Sequence, residues 1–412
     1  MILNTRYIFI LSYLFLLFGY YIGEDLNGNA SEDYIGQYPI ILEFNYNSIN
    51  SFLNYDNLEQ GNSRQSPIFF FILSLFNKVG FNENSIRFVN LNLCFLSVII
   101  FYYCLKKKYP KVQNYFIVLL SVLIIFSPSF RSLSIWPNSI NLGLIFFLLS
   151  IYFFLGFLEL KKISYATLNI IFLSIASYIS PNYSVFSIFY FYIFFKYYKQ
   201  DLRLVYIIFL NLFLSIPAFY YIIYLDQFFF FQNVVNPEVK NEISINNIVN
   251  KISIISTIIF FHIIPFLNKS FLINPKKNYI FEFIILSSFI YLIITYFNYP
   301  FFISGGGIFF KISHYFFNNN LLFYLFFSLS FYVLIKLTKN NLNNFILILC
   351  LIISNPQFSI YHKYFDPLVL ILFVTLFDIR KFKILINSYL LKKLYLFYLI
   401  FILLNITKLY LY

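Results

Sequence analysis

From Tyr7 to Tyr410 the chain alternates apolar runs with short polar breaks, and that alternation leaves few folds open. Runs approaching ~20 residues match the thickness of a bilayer core. In lipid, every backbone N–H and C=O must be paired within the segment, so such runs are helices. The composition agrees: 60% of the residues are hydrophobic, 11% are charged and 60 are Phe, outside the range of soluble domains. The expectation is an all-α polytopic membrane protein, one transmembrane domain over residues 1–412.

The first run, 7–23, follows Arg6 and lacks a small-residue cleavage pattern, which fits an uncleaved signal anchor with a cytoplasmic amino terminus. The next run, 67–76, is too short to span and reads as juxtamembrane or re-entrant. If it does not cross, the run 86–105 ends inside at Lys106, Lys107, Lys108 and Lys111, as the positive-inside rule requires. Further spans are expected near 115–126, 142–158, 165–179, 183–195, 204–224, 252–267, 279–297, 321–335, 345–353, 368–377 and 394–410, about 13 transmembrane helices in all. This assignment puts 20 of the 29 basic residues inside and 12 of the 16 acids outside, so the polar clusters able to do chemistry share one compartment. A multi-pass protein of the bacterial inner (plasma) membrane is expected, with its site facing the periplasm or exterior.

A net charge of +13 raises the possibility of nucleic acid, but the basic residues come in twos and threes between apolar runs, the pattern of orienting loops. No nucleic-acid partner is expected. Cys94, Cys104 and Cys350 lie in or beside apolar runs without metal or disulfide spacing and read as packing residues. The inner loops are short and carry no nucleotide-binding pattern, so a soluble nucleotide sugar or ATP is not the expected fuel.

The polar stretch 24–83 is the longest external loop, and within it residues 38–53 carry an apolar period that fits a helix lying on the membrane surface. Its acidic pairs, Glu24-Asp25 and Glu32-Asp33, have three readings: oxygen ligands for a divalent cation, a general base toward an acceptor hydroxyl, or simply solvated acids. Glu43, Asp56 and Glu59 fit a solvated helix face, with Arg64 as a partner for one of them. Arg131, followed by Trp136-Pro137, suits either bidentate phosphate binding or interfacial anchoring. Gly305-Gly306-Gly307 permits a tight turn whose N–H groups can meet an anion, with Lys311 and His314 following one helical turn apart. A plain turn is the alternative. His362 and Lys363 face the same side, whereas His262 sits within an apolar run and reads as a packing residue.

One span, then a long loop with an acidic pair and an aromatic (Glu32-Asp33-Tyr34), an amphipathic helix and a Pro-apolar-aromatic start (Gln65-Ser66-Pro67-Ile68-Phe69-Phe70): this order resembles the GT-C superfamily of membrane glycosyltransferases. Protein mannosyltransferases and lipid A aminoarabinose transferases belong to it. Ser127-Pro128 followed by Arg131 and Asn138 resembles the exit of the family's third span. The acidic pair is reversed relative to the family, Gln-Ser-Pro-Ile-Phe stands for its His-Pro-Pro-Leu-aromatic motif, and Asn138 or Asn141 stands where an Asp is often found. The resemblance implies transfer of a sugar from a polyprenyl-phosphate donor to a lipid, glycan or protein acceptor among membrane lipids. It implies Asp33, then Glu32 and Asp25, as the catalytic carboxylates, Asp33 and Asp25 as ligands of any Mg or Mn ion, and Arg131, Lys311, His314, His362 and Lys363 as donor-phosphate ligands.

Two other classes compete. An O-antigen-type polysaccharide polymerase or ligase also works in external loops, but its largest loop usually comes late and carries arginines, whereas here the largest is first and acidic. A transporter or flippase places ionisable residues at mid-membrane and often has inverted repeats; only Glu282 and His262 lie within runs, and no repeat is evident.

Overall fold

The computed structural model describes residues 5–46, 48–53, 55, 65–219, 223, 244–268, 280–300, 305–355, 357, 359–379 and 386–411. Asn47, Asp56, Glu59, Arg64, most of the loop 226–247 and the basic residues Lys269, Lys276, Lys277, Arg380, Lys381 and Lys383 lie outside them. Every regular element among the described residues is helical. They form two compact units, one from 1–232 with 386–412 and the other from 233–385.

In the first unit, α1 (Thr5–Tyr21) leads into a loop that folds as α2 (Ala30–Tyr46), α3 (Ser48–Leu53) and α4 (Pro67–Lys78). The helix expected over 38–53 begins earlier, at Ala30, because Glu32 and Asp33 occupy its first turn, where carboxylates offset the positive end of the helix dipole. Ile40, Ile41 and Phe44 are buried, and Phe44 meets Phe52, Tyr55 and Phe70, so the apolar face of α2 packs against its own loop. Ile49 stays exposed. Helix α4 starts with a Ser66 cap and Pro67 in its first turn, two features that favour initiation. Its 12 residues extend about 18 Å, well under the ~30 Å of a bilayer core.

Then follow α5 (Glu83–Lys108), α6 (Asn114–Val122), α7 (Pro128–Ile135), α8 (Ser139–Leu160), α9 (Ile163–Ile179), α10 (Phe186–Tyr198) and α11 (Leu202–Phe219). Helices α8 and α9 form an antiparallel hairpin, and α5 lies against α8. Asn82 caps α5, and three lysines sit in its last turn, where they offset the dipole. The run expected as a span over 115–126 is helical to Phe126, its last turn a tighter one, and just beyond it the chain bends by 69° into α7. Pro128 lacks the N–H that would continue the helix, and the Ser127 hydroxyl accepts the Phe130 N–H and starts a new one. Helix α18 (Ser388–Leu411) completes the unit, with Tyr395 donating to the Leu119 carbonyl.

The second unit holds α12 (Ile245–Ile263), α13 (Ile280–Tyr296), α14 (Gly307–Phe317), α15 (Leu321–Thr338), α16 (Leu342–Ser354) and α17 (Leu368–Thr375). Helix α12 is its centre, packing on α13, α14, α15, α16 and α17.

The protein is an all-helical integral membrane protein. Among the described residues six segments are long and apolar enough to cross a membrane: α5, α8, α11, Ile245–Phe266, α15 and Ser388–Thr407; the bent pair makes up to seven. The expected count of about 13 is not confirmed among the described residues. Runs read as spans at 183–195, 345–353 and 368–377 form helices of 13, 13 and 8 residues, and α1 and α9 have 17 each. The helices of 13 and 8 residues fall short of a membrane core, whereas 17 residues lies at the lower end of the range for a span.

Candidate functional site

The ends of α1, α5, α8 and α9 meet the described parts of the loop, 24–46 and 65–78, at one end of the first unit. The fastening is a buried ion pair. Arg131 is 2% exposed, and Glu24 takes its Nε and Nη2 in a bidentate grip while the Phe15 ring lies 4.1 Å from the guanidinium. Gly19 makes room for this pair, since a Cβ there would stand 2.6 Å from Glu24 Oε2 and 2.8 Å from Arg131 Nη2. Trp136 Nε1 donates to the Glu24 carbonyl at 3.1 Å, and the Asn27 N–H donates to Ser132 Oγ at 2.9 Å. Arg131 is thus spent on holding the loop's entrance to α7, although its Nη1 has no hydrogen-bond partner among the described residues.

The acids divide by role. Asp25 Oδ2 accepts the Ser31 N–H and hydroxyl and so shapes the entry to α2, while its Oδ1 is buried without a hydrogen-bond partner. Glu32 is exposed and accepts from Asn29 Nδ2 at 2.9 Å. Asp33, half-buried, lies in the first turn of α2. Gln37, four residues on and therefore on the same helix face, accepts from Gln65 Nε2, and Gln65 Oε1 accepts the Ser139 N–H at 2.8 Å. The Gln-Ser-Pro motif thereby ties the Asp33 face of α2 to the N-terminus of α8, where the helix dipole is positive.

A second arginine, missed by the sequence reading, stands beside this cluster. Arg87 stacks 3.5 Å above the Trp136 ring and 5.2 Å from the Tyr20 ring, and donates to the Ile135 carbonyl and Asn84 Oδ1. It makes no salt bridge among the described residues and remains partly exposed. A lone Arg one turn inside an apolar helix was the available signal. Tyr34, 1% exposed, packs on Trp136; burial first, then the Glu83 carboxylate, pushes its phenol up, so it stays a proton donor.

Next to the motif opens a groove of about 680 Å³, within the size range of small-molecule sites. The loop contributes Phe52, Ser66 and Pro67, and α9 and α11 supply apolar walls through Leu173 and Leu214. Most of its hydroxyls are turned away: Ser177 and Ser215 donate to carbonyls of their own helices, and Ser66 donates to the Tyr178 carbonyl at 2.5 Å. What remains open is chiefly hydrocarbon.

In the second unit the glycine triplet has positive φ at all three positions, 126°, 84° and 75°, and the Gly306 N–H donates to the Ile360 carbonyl. The turn closes against the loop that carries His362. Lys311, on α14, lies near enough for its charge to bear on His362; burial and then that charge hold the His362 imidazole well below its ordinary range, though part of its surface stays accessible. His362 Nε2 is 3.1 Å from Nε2 of His262, which is therefore more than a packing residue. His314 points elsewhere, bonding Asn320 at 2.9 Å and lying on Phe310. Lys363 rests near the Tyr361 ring. The structure thus brings the charge of Lys311 to bear on His362. Among the described residues no group of three His, Cys, Asp or Glu is close enough to hold a metal ion, so Asp25 and Asp33 do not assemble such a set.

No family model, curated protein or solved structure matches the chain.

Proposed function

We propose that the protein is a GT-C-like glycosyltransferase that moves a sugar from a polyprenyl-phosphate donor to a lipid, glycan or protein acceptor at the outer face of the membrane. One observation carries the reading: the loop that bears Asp33 and Gln65 also forms part of a largely apolar groove, through Ser66 and Pro67. A donor that is half sugar phosphate and half hydrocarbon needs such a junction between polar cluster and greasy channel. In this reading the lipid chain lies along α9 and α11. The phosphate sits toward Arg87 and the N-terminus of α8, where a cation and a helix dipole stabilise the leaving group. Asp33 takes the acceptor hydroxyl's proton as the new glycosidic bond forms and the polyprenyl phosphate departs. The buried Arg131–Glu24 pair keeps the loop in place. Lys311 supplies a separate positive charge within its own unit, beside a neutral His362.

The test is incubation of the purified protein with a panel of polyprenyl-phosphate sugars, followed by mass spectrometry of the lipid. Sugar-dependent release of free polyprenyl phosphate is expected. Intact donor across the panel, with a range of acceptors supplied, would count against transfer.

A further inference from the structure

Two of the chain's three histidines meet in the second unit. His262 lies in the last turn of α12, inside a candidate membrane span, and His362 opens the short turn His362–Tyr364. Their Nε2 atoms are 3.1 Å apart and their ring centroids 5.1 Å, with the planes tilted by 45°. Phe261 sets its ring edge-on to both, at 5.3 and 5.6 Å, which fixes the two imidazoles against each other. An ionisable residue within a span is rare and marks a functional site when it has a partner.

We propose that His262 and His362 together ligate one divalent ion of the zinc class, through Nε2 of each ring. Bonds of ~2.0–2.1 Å at an angle of roughly 100° place two ring nitrogens about 3.1 Å apart, the separation found here. Imidazole pairs select Zn, Cu, Ni and Co over Mg and Mn, which prefer oxygen. Without metal, the pair is joined by an Nε2–H···Nε2 hydrogen bond. Binding moves that proton to Nδ1 of the same ring, so the ion takes two lone pairs with no net proton release. Lys311 opposes any added positive charge, so coordination bonds carry the affinity. No third His, Cys, Asp or Glu joins the pair among the described residues, so the ion would complete its coordination with water or a phosphate oxygen, as a catalytic rather than a structural ion does. The site is distinct from Asp25 and Asp33 and does not depend on the transferase reading.

The experiment uses the full chain in detergent, purified without a histidine tag and stripped with chelator. Cobalt titration followed by visible absorption, and zinc competition against it, should show one saturable site per chain that millimolar magnesium does not displace. His262→Gln and His362→Gln, which keep size and polarity, should each weaken binding by at least about tenfold, and zinc should raise the unfolding temperature of the parent protein but not of either variant. His314→Ala should bind as the parent does. No saturable binding would mean that the pair is a hydrogen bond only and would overturn the proposal, as would binding that survives both substitutions in folded protein.

Discussion

Asp33 and Arg131 were both singled out by their surroundings in the sequence, and the structure treats them differently. Arg131 is buried and gripped by Glu24. Breaking a buried pair by removing one partner leaves a charge uncompensated, so Glu24→Gln should destabilise the protein by about 3–5 kcal/mol. The double change Glu24→Leu with Arg131→Met should recover much of that loss. Thermal unfolding followed by tryptophan emission measures both, because Trp136 is the chain's single tryptophan and donates to the Glu24 carbonyl. Asp33 has the opposite profile. It is partly accessible at the start of α2, on the face that leads through Gln37 to Gln65. If it is the proton acceptor of the proposed transfer, Asp33→Asn lowers turnover by roughly 10²-fold or more while the unfolding temperature stays put. Near-normal transfer by that variant would remove Asp33 from the mechanism.

Arg87 completes the residue-scale picture. Its guanidinium is braced on Trp136 and free of salt bridges among the described residues, so in the proposed site Arg87→Ala should raise the KM for donor more than it lowers kcat. Arg87→Lys should restore little, since a lysine neither stacks as a plane nor offers a fork to phosphate. A steady-state comparison of the two variants separates lost charge from lost geometry.

At the scale of elements, the polar loop and the groove are one construction. Helix α4 packs against α2 and touches α9, and its Ser66 cap bonds the Tyr178 carbonyl, so the loop is clamped to the end of the α8–α9 hairpin. The apolar wall this creates should hold a lipid tail. Ser174→Phe adds a ring to that wall, so it should raise the KM for long-chain polyprenyl donors and spare a short, water-soluble isoprenyl phosphate sugar. Equal effects on both would place the hydrocarbon elsewhere. The break at Ser127-Pro128 is the other element-scale decision. It turns α7 inward, where all eight residues are buried, and that turn sets Arg131 and Ser132 against the loop.

For the whole molecule, charge predicts an orientation. The lysines at 106–108 close α5, and the acids gather in the loop before it. Single cysteines at Asn29 and Lys107, in a chain whose buried Cys94, Cys104 and Cys350 have been replaced, should label differently in intact cells. A membrane-impermeant reagent should reach position 29 at once and position 107 only after permeabilisation. Reaction at both from outside would invalidate the parity and the expected side of the site.

Apolar length and charge placement were enough to establish an all-helical membrane protein, because lipid admits no other backbone for such runs. Ser66-Pro67 as the start of α4 was legible too, whereas the Asn82 cap of α5 and the acids that open α2 went unread, although capping and dipole effects act within a single turn. The number of crossings was less legible, because a 13-residue apolar helix and a span share composition and differ only in length. The pairing of distant groups could not be read at all. Glu24 and Arg131 lie 107 residues apart, and His262 and His362 are separated by 100. In sequence each was an isolated polar residue with several readings. Only packing, which brings their elements together in a medium where an unpaired charge or imidazole is costly, decided which of them meet.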